Sequence, residues 1–342
     1  MAEPVLRVRD LATTFETDLG DLRAIEGVSF DLYVGRTLCL VGESGCGKSV
    51  TALSVMGLLP DRAFVSEGAV YLGVANVAEG AIDLTRLSET ELGRVRGRHV
   101  AMIFQDPTSA LNPVHTLGDQ IAEGLMHHLA LSKTAARARA AELLAKVGIP
   151  APAERLDAYP HQISGGMRQR VMIAMAIACG PRVLVADEPT TALDVTIQAQ
   201  VLELLRTLRD ETGMAVLLIT HDLGVVAEVA DEVAVMYAGR IVERAPVRVL
   251  FNSPRHPYTR ALLRSMPSRA FRIGDRAPLR LPTIAGVVPS LGAWPKGCRF
   301  QDRCDVVEGR CRAEEPSLRR VGDAEVACFV AGAPDVAAEA HG

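Results

Sequence analysis

An excess of positive charge is missing from this sequence: 37 Lys plus Arg stand against 41 Asp plus Glu, for a formal net charge of −4. That balance argues against a bulk nucleic-acid binder, which would be basic overall. Lysine is especially scarce, with four in 342 residues. Long apolar runs are absent too. The longest, Val171 to Cys179, falls far short of the roughly 20 residues that cross a bilayer as a helix, so the chain is expected not to span a membrane by itself. Glu3, Arg7, Arg9 and Asp10 interrupt the region that a signal peptide would need apolar, which predicts a cytosolic protein. Aromatic residues make up only 4%, yet 49% hydrophobic and 23% charged residues suit a folded globular chain. Such proportions exclude both a disordered segment and a disulfide-dense miniature.

At about 150 residues per domain the length suggests two domains. Residues 5 to 41 hold strand-like runs (VLRV, VSFDLYV, TLCLV) separated by turn signals at Asp18, Gly20, Asp21, Gly35 and Arg36. From about Leu111 to Cys179 the character turns helical, with Gly148 and Pro150 stopping one helix. Strand patterns return with RVLVAD and AVLLIT, on either side of a helical stretch from Thr196 to Arg209. Apolar strands alternating with helices predict an α/β fold with a parallel sheet covered on both faces and a helical insert at about 111–179. After EVAVMYAGRIVER the sequence becomes rich in Pro and Arg. The reading therefore places one domain over 1–252 and a smaller, loop-rich extension over 253–342, with a frayed tail at about 331–342.

Gly42-Glu43-Ser44-Gly45-Cys46-Gly47-Lys48-Ser49 matches G-x-x-x-x-G-K-[ST] in full, between a strand pattern and a helix pattern, which is the required context. The glycines let successive N–H groups turn inward toward phosphate oxygens at a helix N-terminus. Lys48 is expected to reach the β- and γ-phosphates, and Ser49 to ligate Mg²⁺. A triphosphate site also needs an acid for the metal. Asp187 ends the apolar strand VLVAD, where carboxylates face the ligand crevice of open α/β sheets. Glu188 follows, pointing the other way, and is the candidate to polarise an attacking water. Adjacent acids at a strand end are otherwise often a solvated turn; the Lys48 loop favours the functional reading.

The stretch Ile163-Ser164-Gly165-Gly166-Met167-Arg168-Gln169-Arg170 resembles the signature sequence of ABC-type ATPases. The rest of that family's motifs appear in order. Gln105 in FQDP is similar to the Q-loop glutamine, Ala192-Leu193-Asp194 to the D-loop, His221 in THD to the switch histidine, and Phe15 to the ring that packs on adenine. The resemblance covers about residues 5 to 252 and implies the P-loop NTPase fold of ABC ATPases with its helical subdomain. It also implies ATP hydrolysis in which Gln105 and His221 sense the γ-phosphate and attacking water, and Gln105 joins Ser49 and Asp187 at Mg²⁺. Ser164, Gly165 and Gly166 would serve the opposite nucleotide in a head-to-tail dimer. His127 and His128 are expected to be surface or packing residues.

SPRHPYTRALLRSMP, with His256-Pro257-Tyr258-Thr259 at its centre, resembles the carboxyl-terminal extension of ATPases from oligopeptide, dipeptide and nickel importers. The resemblance implies a peripheral subunit on the cytoplasmic face of the cell membrane. Its partners would be a second, non-identical ATPase, two integral permease subunits and an extracytoplasmic binding protein, with no nucleic acid. Peptides are the expected cargo, nickel or another small solute the alternative, and a soluble non-transport ABC ATPase the rival of another class. Seven cysteines are an odd number, and Cys298, Cys304, Cys311 and Cys328 crowd the last fifth of the chain. In a reducing compartment that clustering points to metal or cluster binding before disulfides. Four thiolates suit Zn²⁺ or an iron–sulfur cluster; the tight C-x2-4-C knuckle of zinc sites is absent, and the resemblance implies [4Fe–4S]. Cys39 and Cys179 read as small core residues, and Cys46 as a loop residue whose side chain need not touch ligand.

Overall fold

The computed structural model of the protein describes residues 3–18, 20–73, 81–191, 193–266 and 283–332. Ala192 of the expected D-loop and residues 333–342 of the expected frayed tail lie outside them. The chain opens with a long antiparallel pair, β1 (Leu6–Thr17) and β2 (Gly20–Leu32). Register shifts between Val8 and Leu11 and between Leu11 and Thr13 break the period-two pattern, so the sequence reads as shorter runs than the strands that form. β3 (Thr37–Val41) leads through the Gly-rich loop into α1 (Lys48–Met56). β4 (Ala63–Leu72) pairs with β1, and β5 (Ile82–Asp83) completes a four-stranded sheet, β2-β1-β4-β5. α2 (Glu89–Val95), started by a Ser88/Glu91 capping box, precedes β6 (Val100–Ile103).

Five α-helices separate β6 from the next strand: α3 (Pro107–Ala110), α4 (Leu117–Leu129), α5 (Lys133–Lys146), α6 (Pro152–Arg155) and α7 (Gly165–Ile177). The chain then alternates β7 (Val183–Asp187), α8 (Val195–Thr212), β8 (Ala215–Thr220), α9 (Leu223–Val229) and β9 (Glu232–Tyr237). β10 (Arg240–Pro246) and α10 (Val247–Asn252) follow, then α11 (Pro257–Arg264) and the short pair β11 (Arg319–Val321) and β12 (Ala324–Val326). Among the described residues no helix is long and apolar enough to cross a membrane.

The main sheet has eight strands in the order β11-β12-β10-β9-β3-β8-β7-β6. Its central strands are parallel, as continuous apolar runs require when both faces are covered. Alternate residues serve opposite cores. Leu38, Leu40, Val183, Val185, Leu217 and Ile219 join the four-stranded sheet and α1. Cys39, Val41, Leu184, Ala186, Val216 and Leu218 join the helices and the carboxyl-terminal segment. That strict alternation is the strand period of two expressed as two cores.

The carboxyl-terminal segment continues this sheet, a feature the sequence reading did not foresee. β12 pairs antiparallel with β10, Glu243 facing Val326 and Arg244 facing Glu325. The HPY motif explains the turn into it. His256 caps α11, its Nδ1 accepting from the Tyr258 N–H at 3.1 Å, and Pro257 takes the first helical position, where a missing N–H costs nothing. The fully buried Glu243 accepts the N–H groups of Arg255 and His256 at 2.7 and 2.8 Å. Tyr258 then lies against Tyr237 and Phe300, with ring centroids 4.7 and 5.4 Å away.

Candidate active site

β3 is buried along its whole length between β8 and β9 and delivers the Gly42–Ser49 loop at its carboxyl end. Register brings Val41 opposite Thr220, and Ile219 opposite Asp187, so three neighbouring strands end at one level. The loop conformation demands glycine at two places. A Cβ on Gly42 would lie 2.2 Å from the Met236 carbonyl oxygen. Gly47, at the head of α1, has φ of 106°, in the left-handed region that side chains avoid. Lys48 is buried, and its Nζ donates to the carbonyls of Gly42 and Glu43 at 2.9 and 3.1 Å. Ser44 and Gly45 are exposed at the loop tip, and Cys46 is buried beneath it. The Ser49 hydroxyl donates to Asp187 Oδ1 at 3.2 Å. Burial pushes the Asp187 carboxyl above its ordinary range, and the Ser49 bond opposes that rise. A hydroxyl and a carboxylate side by side beneath a phosphate loop form an oxygen set suited to Mg²⁺.

Glu188 departs from the strand with φ of 46°, which swings its side chain away from Asp187. Gln105 Nε2 lies 3.3 Å from Glu188 Oε2, Thr191 Oγ1 donates to the same oxygen at 2.8 Å, and His221 Nδ1 lies 3.2 Å from Oε1. Burial pushes Glu188 up, but the hydrogen bonds from Thr191 and His221 outweigh it and hold the carboxyl below its usual range. An ionised carboxylate beside the phosphate loop is placed to accept a proton from water. Gln105 and His221, both proposed from sequence, thus meet at the carboxylate of Glu188, proposed with them. Thr191 was missed; its signal was its place three residues after Glu188, where a turn returns the chain. Asp222 steadies the segment after His221, capping α9 through the Gly224 N–H at 2.7 Å and accepting from Gln198 at 3.2 Å.

The remaining candidates sit apart. Ser164 caps α7, accepting from the Met167 N–H at 3.3 Å, and Gly165 is exposed. Among the described residues no hydrogen bond or ion pair joins Ser164, Gly165 or Gly166 to the Gly42–Ser49 loop. Asp194 caps α8 by accepting from the Ile197 N–H at 3.0 Å. Phe15 is half-buried near the end of β1, opposite Leu22 and Ala63. His127 and His128 stack edge-on against each other, with ring centroids 4.7 Å apart.

Cys298, Cys304, Cys311 and Cys328 all line one cavity, together with His256 and Phe300. Burial pushes the Cys298 and Cys304 thiols up to about 11 and that of Cys328 up as well. Backbone N–H groups act the other way: Phe300 on Cys298, Val306 on Cys304, Val330 and Ala331 on Cys328. Among the described residues, however, no group of three or more His, Cys, Asp or Glu stands in an arrangement that could hold a metal ion. The four thiols share a cavity without forming a coordination shell. Cys39 is fully buried, and Cys179 is half-buried with its thiol 3.5 Å from the Gly124 carbonyl.

Comparison with known proteins places these features in context. The family model of the ABC transporter matches residues 25–191, and that of the oligopeptide/dipeptide transporter C-terminal region matches residues 242–311. The dipeptide transport ATP-binding protein DppD of Bacillus subtilis is 52% identical over 307 residues, 88% of this chain and 87% of the relative. DppD of Escherichia coli is 49% identical over 321 residues, 93% of this chain and 94% of the relative. Among solved structures, the ATP-binding cassette MJ0796 bound to ADP and Pi superposes with a TM-score of 0.62 at 27% identity, covering 71% of this chain and 99% of that one.

Proposed function

The chain belongs to the ATP-hydrolysing subunits of ABC transporters, in their peptide-importing branch, and on that premise we propose how its residues divide the work. The loop amides and Lys48 bind the triphosphate of ATP. Ser49, Asp187 and Gln105 hold Mg²⁺, which supplies charge neutralisation at the phosphate oxygens. Glu188 takes the proton from the attacking water as the new P–O bond forms and ADP leaves. Gln105, Thr191 and His221 orient that carboxylate and its water. Phe15 supports the adenine. The observation that carries this reading is the convergence of Gln105, Thr191 and His221 on Glu188 beside the Ser49–Asp187 pair.

Ser164, Gly165 and Gly166 serve a second nucleotide held by a facing subunit. The support is the exposure of Ser164 and Gly165 at the head of α7, with Gly166 half-buried beside them, and the lack, among the described residues, of bonds to the chain's own phosphate loop. A nucleotide clamped between two subunits favours the closed state, and its hydrolysis removes that preference. The facing subunit is a paralogous ATPase, the pair docks on two membrane permeases at the cytoplasmic face, and an extracytoplasmic binding protein delivers peptide. Purification from membranes with the chain tagged tests this. Two integral subunits and a second ATPase should co-purify, and reconstituted vesicles should take up dipeptide only with ATP and binding protein. Recovery of the chain alone, or uptake of nickel with no peptide, would refute the assignment.

Cys298, Cys304, Cys311 and Cys328, which share a cavity but form no ready-made metal shell, would close on a [4Fe–4S] cluster in this reading. The shared cavity and the N–H groups aimed at three of the sulfurs support it, since such hydrogen bonds favour thiolate. When bound, the cluster supplies ligation energy that fastens a segment poor in regular structure. Anaerobically purified protein should contain iron and absorb broadly near 400 nm; zinc without iron would overturn the proposal.

A further inference from the structure

Glu43, the second residue of the phosphate loop, is gripped at both ends by the carboxyl-terminal segment. Its N–H donates to the Tyr258 hydroxyl at 2.9 Å. Its carboxylate receives a two-pronged pair from Arg303, Nη1 to Oε2 at 2.7 Å and Nη2 to Oε1 at 2.9 Å. The Arg303 side chain is only 4% exposed. It is fixed in turn by donating to the carbonyls of Ala285 at 2.8 Å and Ile284 at 3.4 Å, and to the Tyr237 hydroxyl at 3.4 Å. A second clamp sits beside it. The Gly239 N–H donates to the Cys46 carbonyl at 2.9 Å, and the neighbouring Ala238 carbonyl accepts from Arg299 Nη1 at 2.6 Å. Arg299 stacks on Trp294, 3.6 Å from the ring centroid.

Two physical consequences follow for a loop that takes ATP. An N–H already engaged by Tyr258 is turned out of the phosphate cradle, which sets which of the following amides face in. A carboxylate on the loop repels a polyphosphate unless it is neutralised, and the strength of that repulsion grows away from bulk water. Arg303 neutralises it with a planar fork that lysine cannot reproduce.

We propose that Tyr258 and Arg303 are positioning residues for ATP binding: the carboxyl-terminal segment sets the conformation of the phosphate loop and cancels the charge of Glu43. The inference rests on the reading that Gly42–Ser49 binds the triphosphate. Packing alone would make the same contacts, so the test must separate affinity from folding. ATP dissociation constants, kcat at saturating Mg-ATP and melting temperatures are measured on the full chain and its variants. Arg303→Met is expected to weaken ATP binding about tenfold, the worth of one charge-assisted hydrogen bond, with kcat at saturation within twofold. Arg303→Lys should fall between, and adding Glu43→Gln to Arg303→Met should recover at least half of the lost affinity on a logarithmic scale. Should Arg303→Met not fold, Tyr258→Phe keeps the ring packing and removes only the acceptor; it should weaken ATP at least threefold at an unchanged melting temperature. Unchanged ATP affinity in the folded variants, or no recovery on adding Glu43→Gln, overturns the proposal. Wild-type protein that binds no ATP would instead sink the underlying assignment.

Discussion

Replacing Glu188 by Gln tests the proposed chemistry most directly. The substitution keeps the shape of the side chain and one acceptor oxygen, but it removes the basic charge. The bonds from Thr191 at 2.8 Å and Gln105 at 3.3 Å persist if the amide oxygen takes the place of Oε2, and the amide NH2 then faces His221. Loss of a positioned general base costs about 10² to 10⁴ in rate, equivalent to about 3–5 kcal/mol in barrier height. The neighbouring Asp187, pushed up first by burial and further by the charge of Glu188, loses a repelling neighbour, so ATP binding should be retained or tightened. Phosphate release from a single turnover of Mg-ATP, read beside sedimentation of the same sample, distinguishes the two effects. The expected result is slow release with the ATP-bound subunits held together. Release at more than a tenth of the wild-type rate would refute the role of Glu188, and so would failure to bind ATP, because that would make the residue part of binding instead of the chemistry.

Thr191→Val removes the shortest bond to Glu188 and should slow turnover by about tenfold or less, in keeping with one lost hydrogen bond; a drop as large as that of Glu188→Gln would give Thr191 a greater share than its geometry supports. Cys304→Ser should lower bound iron in anaerobically purified protein to well below half of wild type, measured by metal analysis. The fully buried His256 is held neutral, first by burial and then by Arg260, with its titration lowered to about 3. The unfolded chain binds that proton near 6.5, so stability is present above that value and is lost as pH falls below it, by about 2 kcal/mol between pH 7 and 5. The neighbouring Glu243, pushed up by burial, works in the opposite sense. Urea midpoints of wild type and His256→Asn, compared at the two pH values, isolate the histidine, and equal pH dependence in both would exclude it as the source.

The part of the site legible in the sequence was the part whose chemistry fixes residue type and spacing. The Gly42–Ser49 loop, Asp187 and Glu188 at a strand end, and His221 after another strand could be named because phosphate and water impose local geometry. Thr191 was not, since a threonine in a turn has many ordinary uses. The pairing of β12 with β10 was illegible for another reason: three-residue strands of sequence RRV and AEV carry too little apolar alternation to declare themselves. The Glu43–Arg303 pair joins residues 260 positions apart, and neither end has a sequence neighbour that would announce it. The bulges in β1 concealed a long strand as several short ones.

The sheet pairing of the last segment also bears on solubility. With β12 in place, the terminal strand on that side is β11, where Arg319 and Arg320 are exposed, a charged short border that discourages strand addition from another molecule. Were the segment cut away, β10 would become the border, and its apolar Ile241 and Val242 would lie beside an open row of backbone donors and acceptors. A truncated chain is therefore expected to pair edge to edge with its own copies, whereas in the folded chain β12 and β11 cover that border.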